Sequence, residues 1–322
     1  MNITRAEHIM LTDPSHARLD HASEFDHGSA YVNGTFCPID DASIPITDGG
    51  FMQADAAYDV VSVSRGLFFR LEDHLARFES ACRKFYLRNP NDKQATIDIL
   101  NRLVRLAGMR DAYVWWAVTR GPTPAKRTDP DNYQNRFYAF AIPYRFIASD
   151  EQRERGLDLL VSKRYIRIPP GAVDPTAKNF HWMDLKLSLF EAGEQGREWT
   201  VLCDAAGNLT EGPGVNIFFI KHGELFTPDV GCLEGITRQT TLDLAAKLGL
   251  RVHVKHVNAN ELRDADEAFL TSSAGGIMPI NTVDGVVLGG VSGPGALTTK
   301  LHNLYWSERW NGWLGTPVDY VE

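Results

Sequence analysis

The chain has 322 residues, more than one ordinary hydrophobic core holds, so its length predicts two domains. Hydrophobic residues form 43% and charged residues 23% of the composition, which is typical of a globular protein in water. A formal net charge of −8 argues against a nucleic-acid binder, because binding a phosphate backbone requires a basic surface.

The first part of the chain predicts an arm followed by hairpins and helices. Residues 1–28 carry no clear periodicity and form the predicted arm. Alternating apolar runs on either side of Asn33-Gly34 and Arg65-Gly66 predict two β-hairpins. Apolar residues at helical spacing then predict helices near 71–85 and 93–107.

A long polar connection separates the next two predicted strands, 112–121 and 136–144. This connection, 121–135, contains several prolines and predicts a mobile functional loop. The charged run 148–156 interrupts the apolar pattern and predicts an interdomain linker. The small α/β domain is therefore expected to cover 29–147.

The last part of the chain predicts a larger domain over 157–322. Its strands are predicted over 157–163, 198–204, 208–212, 214–226 and 267–271. Helices are predicted over 182–195, 235–249 and 296–310, with Thr237 as the N-cap of the second. Together the elements predict a two-domain fold of the α/β (α+β) class.

The cysteines and histidines do not predict a disulfide framework or a metal site. The four cysteines are scattered without a CxxC pair, and the ten histidines form no HExxH motif. No apolar run is long enough to predict a membrane span, and the N-terminus lacks the apolar core of a signal peptide. These features favour a cytoplasmic protein.

Three places in the sequence have residues suited to binding or chemistry. Gly235 and Thr237 at a helix start, and the small residues 272–276 after a strand, are both suited to an anion. Lys178 precedes aromatic residues that would desolvate its amine and make it a usable nucleophile. Taken alone, each place is also explained by an ordinary cap, an ordinary turn or a surface lysine.

Five motifs resemble those of the class IV aminotransferases, in their order and rough spacing. They are RLEDHLARFESA, DPTAKNFHWMDL, NLTEGPGVNIFFI, GCLEGITRQTTLDLA and TSSAGGIMPI. The resemblance covers roughly residues 28–320, and it is closest to the (R)-selective amine:pyruvate transaminases through ITDGGFMQADAAYDVVSV and DPTAKNFHWMDL. It implies fold type IV, pyridoxal 5'-phosphate (PLP) as cofactor, a homodimer, and residues 157–322 as the large PLP-binding domain.

The resemblance also implies cofactor-binding roles. Lys178 and Glu211 are expected to be catalytic, the first as the Schiff-base lysine that shuttles a proton and the second at the pyridine nitrogen. Arg77 is expected to bind the phosphate, although its helical position lies off the apolar stripe and by itself predicts a solvated arginine. Further phosphate contacts are expected from Ile236, Thr237, Ser272 and Ser273.

The substrate residues implied by the resemblance are Gln53, Tyr58, Val60, Tyr113, Trp115, Arg127 and Trp182. Strand alternation places Tyr113 and Trp115 on one face, and Trp116 is expected to be a core residue on the other. In related enzymes a loop arginine holds the keto-acid carboxylate. Arginine suits a bidentate clamp better than lysine, which favours Arg127 over Lys126, within one residue of register.

Four functional hypotheses follow. The first is an (R)-amine transaminase with pyruvate or a similar keto acid as acceptor. The second is a D-amino-acid or branched-chain amino-acid aminotransferase, with Arg65 and Arg127 as carboxylate anchors. The third is an aminodeoxychorismate-type lyase. The fourth, a non-enzymatic PLP-binding or scaffold protein, is disfavoured because both Lys178 and Glu211 are present.

Overall fold

A computed structural model of the chain describes residues 2–19 and 25–321. Two compact units are present. The N-terminal unit comprises residues 9–19, 25–145, 177–180 and 309–321. The C-terminal unit comprises residues 2–8, 146–176 and 181–308. The chain therefore has the two-domain α/β architecture that its length and patterning predict, but short segments from elsewhere in the sequence complete each unit.

The helices of the described residues are α1 (Ala6–Thr12), α2 (Gly49–Gln53), α3 (Leu71–Lys84), α4 (Lys93–Leu106), α5 (Asp150–Arg155), α6 (Met183–Glu194), α7 (Ile236–Lys247), α8 (Ala259–Arg263) and α9 (Ala296–Trp310). The strands are β1 (Ser29–Val32), β2 (Thr35–Pro38), β3 (Ala56–Ser64), β4 (Leu67–Phe69), β5 (Ala112–Thr119), β6 (Arg136–Pro143), β7 (Leu157–Ile166), β8 (Trp199–Cys203), β9 (Asn216–Lys221), β10 (Glu224–Thr227), β11 (Val252–Val254), β12 (Glu267–Ser272), β13 (Gly276–Val283), β14 (Val286–Val287) and β15 (Gly315–Pro317). None of these helices is long and apolar enough to cross a membrane.

The N-terminal unit is built on an antiparallel sheet in the order β15-β4-β3-β5-β6-β1-β2. Both predicted hairpins are confirmed, with Asn33-Gly34 and Arg65-Gly66 at positive φ, as their tight turns require. The apolar stripe of α3 packs on one face of β3, where Val61 and Val63 belong to the same buried cluster. Because side chains alternate between the two faces of β3, the residues on its other face contact different parts of the unit.

The C-terminal unit has a mixed sheet in the order β11-β10-β9-β12-β13-β7-β8, with β14 paired to β13. β13 runs antiparallel to β12 and parallel to β7, so it links the two halves of this sheet. The apolar core of the C-terminal unit includes Val215, Ile217, Leu270 and Met278. β13 follows the small-residue turn so closely that sequence patterning did not separate it as a strand.

Several predicted elements differ from the structure. The arm is partly helical, since it contains α1, while residues 20–24 lie outside the described part. The predicted linker contains α5, whose Ser149 and Gln152 form a capping box that offsets its short length. Segment 208–212 is not a strand and makes only isolated bridges. Gly235, not Thr237, is the N-cap of α7, so Thr237 lies inside the first turn.

Candidate active site

Lys178 lies in the N-terminal unit because its segment pairs with β3. β4 pairs only with the last two residues of β3, Val63 and Ser64, which leaves the first half of that edge open to another segment. Asn179 bridges to Ala57, and the Tyr58 N–H donates to the Lys178 carbonyl at 3.1 Å. The half-buried Lys178 side chain then places Nζ 4.4 Å from the centre of the Tyr58 ring. A cation is stabilised at this distance from an aromatic face.

Aromatic side chains surround this lysine within the N-terminal unit. The register of β3 and β5 pairs Val60 with Trp115 and Tyr58 with Ala117, so Tyr58, Val60 and Trp115 share one face. Trp115 stacks between Phe140, at 5.1 Å, and Phe180, at 6.0 Å between ring centres. Tyr113, also predicted to line the pocket, stacks on Phe140 at 6.4 Å, and burial raises its pKa.

A buried charge cluster lies on the opposite face of β3. Asp59 is fully buried between the strand and α3. Arg77 donates to it through Nε at 2.9 Å and Nη2 at 2.7 Å, and the His74 Nδ1 lies 2.7 Å from Asp59 Oδ1. Burial acts to raise the pKa of Asp59, but Arg77 and His74 hold it well below its usual range. Arg77 is thus paired and only 10% exposed, so the helical pattern was wrong to predict a solvated arginine.

Glu211 is the centre of a second charge cluster, in the C-terminal unit. Its side chain is buried, and its Oε1 accepts from Arg167 Nε at 3.0 Å while Oε2 accepts from the Leu233 N–H at 3.0 Å. Arg167 donates also to Asp184 at 2.8 Å. Burial acts to lower the pKa of Arg167, but the two carboxylates raise it above its ordinary value. This permanent cation keeps a negative charge on Glu211 favourable.

Two segments of the C-terminal unit offer polar groups suited to an anion. α7 begins at Ile236, and its N-cap, Gly235, has no side chain to occupy the first backbone N–H groups. A Cβ at Gly235 would lie 2.1 Å from Asn216 Oδ1, so only glycine fits this approach. Thr237 is buried in the first helical turn. The N-terminal dipole of α7 favours an anion here.

The second polar segment is the turn between β12 and β13. Ser272 Oγ accepts from the Ala274 N–H at 3.3 Å, so this hydroxyl stabilises the turn itself. Ser273 is the first residue of the turn. Gly276 has a φ of +66°, and a Cβ there would lie 2.6 Å from the Tyr305 ring. The shape of this turn therefore depends on glycine.

The remaining predicted substrate residues are dispersed. Gln53 lies exposed at the end of α2. Trp182 covers the turn after Glu211, since a Cβ at Gly214 would lie 3.3 Å from its ring. Arg127 and Thr128 line an open pocket of about 410 Å³ together with Asp55, Tyr86, Arg120, Pro130 and Tyr133. The structure does not bring Arg127 beside Lys178, and its carboxylate-binding role stays a prediction.

Arg65 is committed to other partners. It donates to Asp13 and to His16 at 3.0 Å each, and its guanidinium lies 5.4 Å from the centre of the Trp310 ring. These contacts join the arm and the C-terminal segment to the β3–β4 turn. An arginine held in this way does not fit the carboxylate anchor suggested for it.

Six residues of these clusters were not predicted from the sequence: Asp59, His74, Phe140, Arg167, Phe180 and Asp184. A signal was present for His74, which is three residues before Arg77 and therefore beside it on a helix. Asp59 interrupts an otherwise apolar alternation on β3, which indicates a paired carboxylate. No local pattern connects Arg167 with Glu211, because the two are 44 residues apart.

Residues 56–283 match the family described as Amino-transferase class IV. The chain belongs to this family and is a PLP-dependent aminotransferase. A D-alanine aminotransferase of Listeria monocytogenes is 29% identical over 291 residues, which cover 86% of this chain and 94% of that protein. A branched-chain-amino-acid aminotransferase of Escherichia coli is 25% identical over 299 residues, covering 88% of this chain and 96% of that protein.

Solved structures confirm the fold. The branched-chain aminotransferase from Thermoproteus uzoniensis superposes with a TM-score of 0.81 at 25% identity, covering 90% of this chain and 99% of that one. The holo-form of the branched-chain amino acid aminotransferase from Thermobaculum terrenum superposes with a TM-score of 0.78 at 26% identity, covering 92% of this chain and 99% of that one. The fold is therefore type IV, as the resemblance implies.

The groups that each unit presents fit PLP chemically. An aldehyde requires an amine, which Lys178 supplies. A pyridine nitrogen that stays protonated requires a buried carboxylate, and Glu211 is buried and paired with Arg167. A phosphate requires N–H and O–H donors, and the start of α7, whose N-cap lacks a side chain, supplies them. The donor set thus matches the three functional ends of the cofactor.

Proposed function

We propose that this chain is a transaminase that moves an amino group from an (R)-amine to pyruvate or a similar keto acid, with Lys178 as the catalytic lysine. The observation that carries the proposal is the face of β3 and β5 beside Lys178 Nζ, where the side chains of both strands are uncharged and the buried Asp48 accepts from the Thr119 hydroxyl at one end. This face carries Tyr58, Val60, Ser62, Tyr113, Trp115, Ala117 and Thr119. A donor without a carboxylate is compatible with such a face, because no charge has to be desolvated unpaired.

The proposed roles divide between the two clusters. PLP would supply an electron-withdrawing ring that stabilises negative charge on the donor carbon. Lys178 would take the proton from that carbon and pass it on through its amine. Glu211 keeps the proton on the pyridine nitrogen, and Arg167 pairs with Glu211. Arg77, Ile236, Thr237, Ser272 and Ser273 are the proposed phosphate residues.

Substrate recognition is proposed for the aromatic side. Tyr58, Val60, Tyr113 and Trp115 would line the donor pocket, and Trp182 is a further proposed substrate residue. The keto-acid carboxylate would be held by Arg127, and Gln53 would contact substrate as well. These last two residues are exposed, so their roles require further neighbours such as a second copy of the chain.

A second donor class is supported by a different observation. The relatives are named D-alanine and branched-chain-amino-acid aminotransferases, and these names favour an amino-acid donor more directly than an amine. A D-amino-acid or branched-chain amino-acid aminotransferase is therefore the alternative. Such a donor would need a cation for its own carboxylate, and Arg127 is the candidate.

A donor panel separates the two classes. The purified chain is incubated with (R)- or (S)-1-phenylethylamine, D-alanine, L-leucine or D-glutamate, and with pyruvate or 2-oxoglutarate. Turnover of (R)-1-phenylethylamine but not its (S)-enantiomer supports the proposal. Turnover of only D-alanine, D-glutamate or L-leucine contradicts it and supports the alternative. A lyase would release pyruvate over many turnovers without any acceptor, whereas a transaminase stops after one half-reaction until a keto acid arrives, so single-turnover spectra with and without pyruvate separate the two classes.

A homodimer and a cytoplasmic location are part of the proposal. Ile46, Phe51 and Met52 are each more than half exposed in and before α2, which is unusual for large apolar residues so close in sequence. A second copy of the chain would cover them. Light scattering after size exclusion measures the mass and tests this.

The scattered, unbridged cysteines support a reducing compartment.

A further inference from the structure

We propose that Asp59 is a positioning residue that fixes the guanidinium of Arg77 for the cofactor phosphate, with His74 fixing Asp59 in turn. The inference rests on the proposed phosphate role of Arg77. Asp59, His74 and Arg77 all belong to the N-terminal unit, on β3 and α3.

The position of Asp59 needs an explanation because the site is otherwise apolar. Its neighbours on the same face of β3 are Ala57, Val61 and Val63, all in the core cluster. A lone ionised carboxylate in such a place would cost several kcal/mol, so it must be paired. Replacing a buried ion pair with apolar residues is often neutral or stabilising. The pair is therefore better explained by what it does for Arg77 than by fold stability.

The geometry shows which part of Arg77 is held. Asp59 accepts from Nε and Nη2, the two donors on one edge of the planar guanidinium. This bidentate contact sets the plane of the group and directs its Nη1 edge away from Asp59. A long arginine side chain loses rotamer entropy when it is ordered. Because Asp59 already orders this side chain in the folded protein, phosphate binding does not have to offset the loss of rotamer entropy.

His74 holds the carboxylate at Oδ1, the oxygen that also accepts from Arg77 Nη2. Since Asp59 is ionised and can only accept, His74 Nδ1 must carry the hydrogen in their 2.7 Å contact. Burial lowers the pKa of His74; the Asp59 carboxylate acts to raise it, but burial together with the charges of Arg77 and Lys178 keeps this pKa below its ordinary value, which favours the neutral ring. The ring adds a hydrogen bond to Asp59 without adding a second cation next to Arg77.

The test compares two ligands that differ only in the phosphate. The full chain, freed of cofactor by dialysis, is titrated with pyridoxamine 5'-phosphate and with pyridoxamine. Asp59→Asn is expected to lower the affinity for pyridoxamine 5'-phosphate roughly tenfold, as for loss of a charge-assisted hydrogen bond. The affinity for pyridoxamine should change by less than about twofold. Added to Arg77→Gln, Asp59→Asn should cause little further loss, because both changes act on one contact.

Three outcomes overturn the inference. Equal or tighter binding of pyridoxamine 5'-phosphate by Asp59→Asn would mean that Asp59 only neutralises Arg77. Equal weakening of both ligands would mean a general structural role. An Arg77→Gln variant that does not distinguish the two ligands would remove the phosphate role of Arg77 itself, and this result identifies a failure of the proposed function separately.

A control and a second pair of variants complete the experiment. Glu198 accepts a bidentate contact from both Nη atoms of Arg155 away from every proposed site residue, so Glu198→Gln should leave both affinities unchanged. If Asp59→Asn does not fold, His74→Leu and His74→Gln replace it. Leucine should weaken only pyridoxamine 5'-phosphate, by about threefold. Glutamine, whose amide can still donate to Asp59, should restore most of that affinity, and identical behaviour of the two variants would contradict the role of His74.

Discussion

Trp115→Ala is expected to widen the donor range of the enzyme without unfolding it. Trp115 is half-buried in the aromatic face beside Lys178, where it contacts Phe140, Phe180 and Tyr58. Its neighbour in sequence, Trp116, is fully buried on the other face and packs against Phe78 at 5.7 Å. These adjacent tryptophans form a matched pair, one proposed to limit the substrate and one placed in the core.

The magnitudes follow from their surroundings. Each aromatic contact of Trp115 contributes about 0.5–1.5 kcal/mol, and relaxation of a half-exposed site keeps the total loss near 2 kcal/mol. Trp116→Ala should lose about 3–5 kcal/mol, because a fully enclosed cavity remains. Removing the Trp115 indole leaves space for one more methylene of the donor, worth about 0.8 kcal/mol or roughly fourfold in rate.

The assay measures kcat/KM for 1-phenylethylamine and 1-phenylpropylamine, together with urea unfolding of each variant. For Trp115→Ala the ratio of kcat/KM should shift at least fourfold towards 1-phenylpropylamine. Trp116→Ala should unfold at lower urea and leave the ratio unchanged. If Trp115→Ala loses as much stability as Trp116→Ala and its ratio does not move, Trp115 is a core residue and the proposed pocket wall is wrong.

Three further predictions test the two charge clusters and the lysine. Lys178→Ala should lose the yellow absorbance band that borohydride removes in the parent, and its transamination; normal turnover would exclude Lys178 as the catalytic lysine. Glu211→Gln should retain cofactor but slow the first half-reaction about tenfold to a hundredfold, measured by stopped flow, and an unchanged rate would contradict its role. The depressed pKa of Asp59 contributes stability that is present above its unfolded pKa of about 3.9 and is lost as pH falls below it. Urea unfolding from pH 5 to 2 should therefore show a steeper loss for the parent than for Asp59→Asn, and parallel curves would be inconsistent with this pairing.

Local patterns in the sequence predicted most of the elements of the fold. Alternation and the turns at Asn33-Gly34 and Arg65-Gly66 fixed the hairpins, because positive φ at two successive residues is a local requirement. Apolar spacing likewise predicted α3 and α4. The predictions failed where a local signal was ambiguous, as in the charged segment that forms α5 and in β13 after its glycine turn.

The residues of the candidate site also form two groups, those that a local motif predicts and those that only the folded chain brings together. Lys178, Glu211 and the start of α7 were predicted because each lies within a short motif of its own. The partners of these residues are distant in sequence: Arg167 reaches Glu211 across 44 residues, and Arg77 reaches Asp59 across 18. Helical spacing places Arg77 only relative to its own helix, where it lies off the apolar stripe and is predicted to face water.

By itself, then, the sequence determined the family, the cofactor and the alternating faces of β3 and β5. Only the tertiary structure decided which unit holds Lys178. Its segment lies in the second half of the chain, yet it joins β3 because β4 leaves part of that strand edge open to pairing. The tertiary structure also decided that Arg65 holds the arm and that Arg77 meets a buried carboxylate. Charges taken out of water need partners, and residues far apart in sequence become partners only when the chain folds.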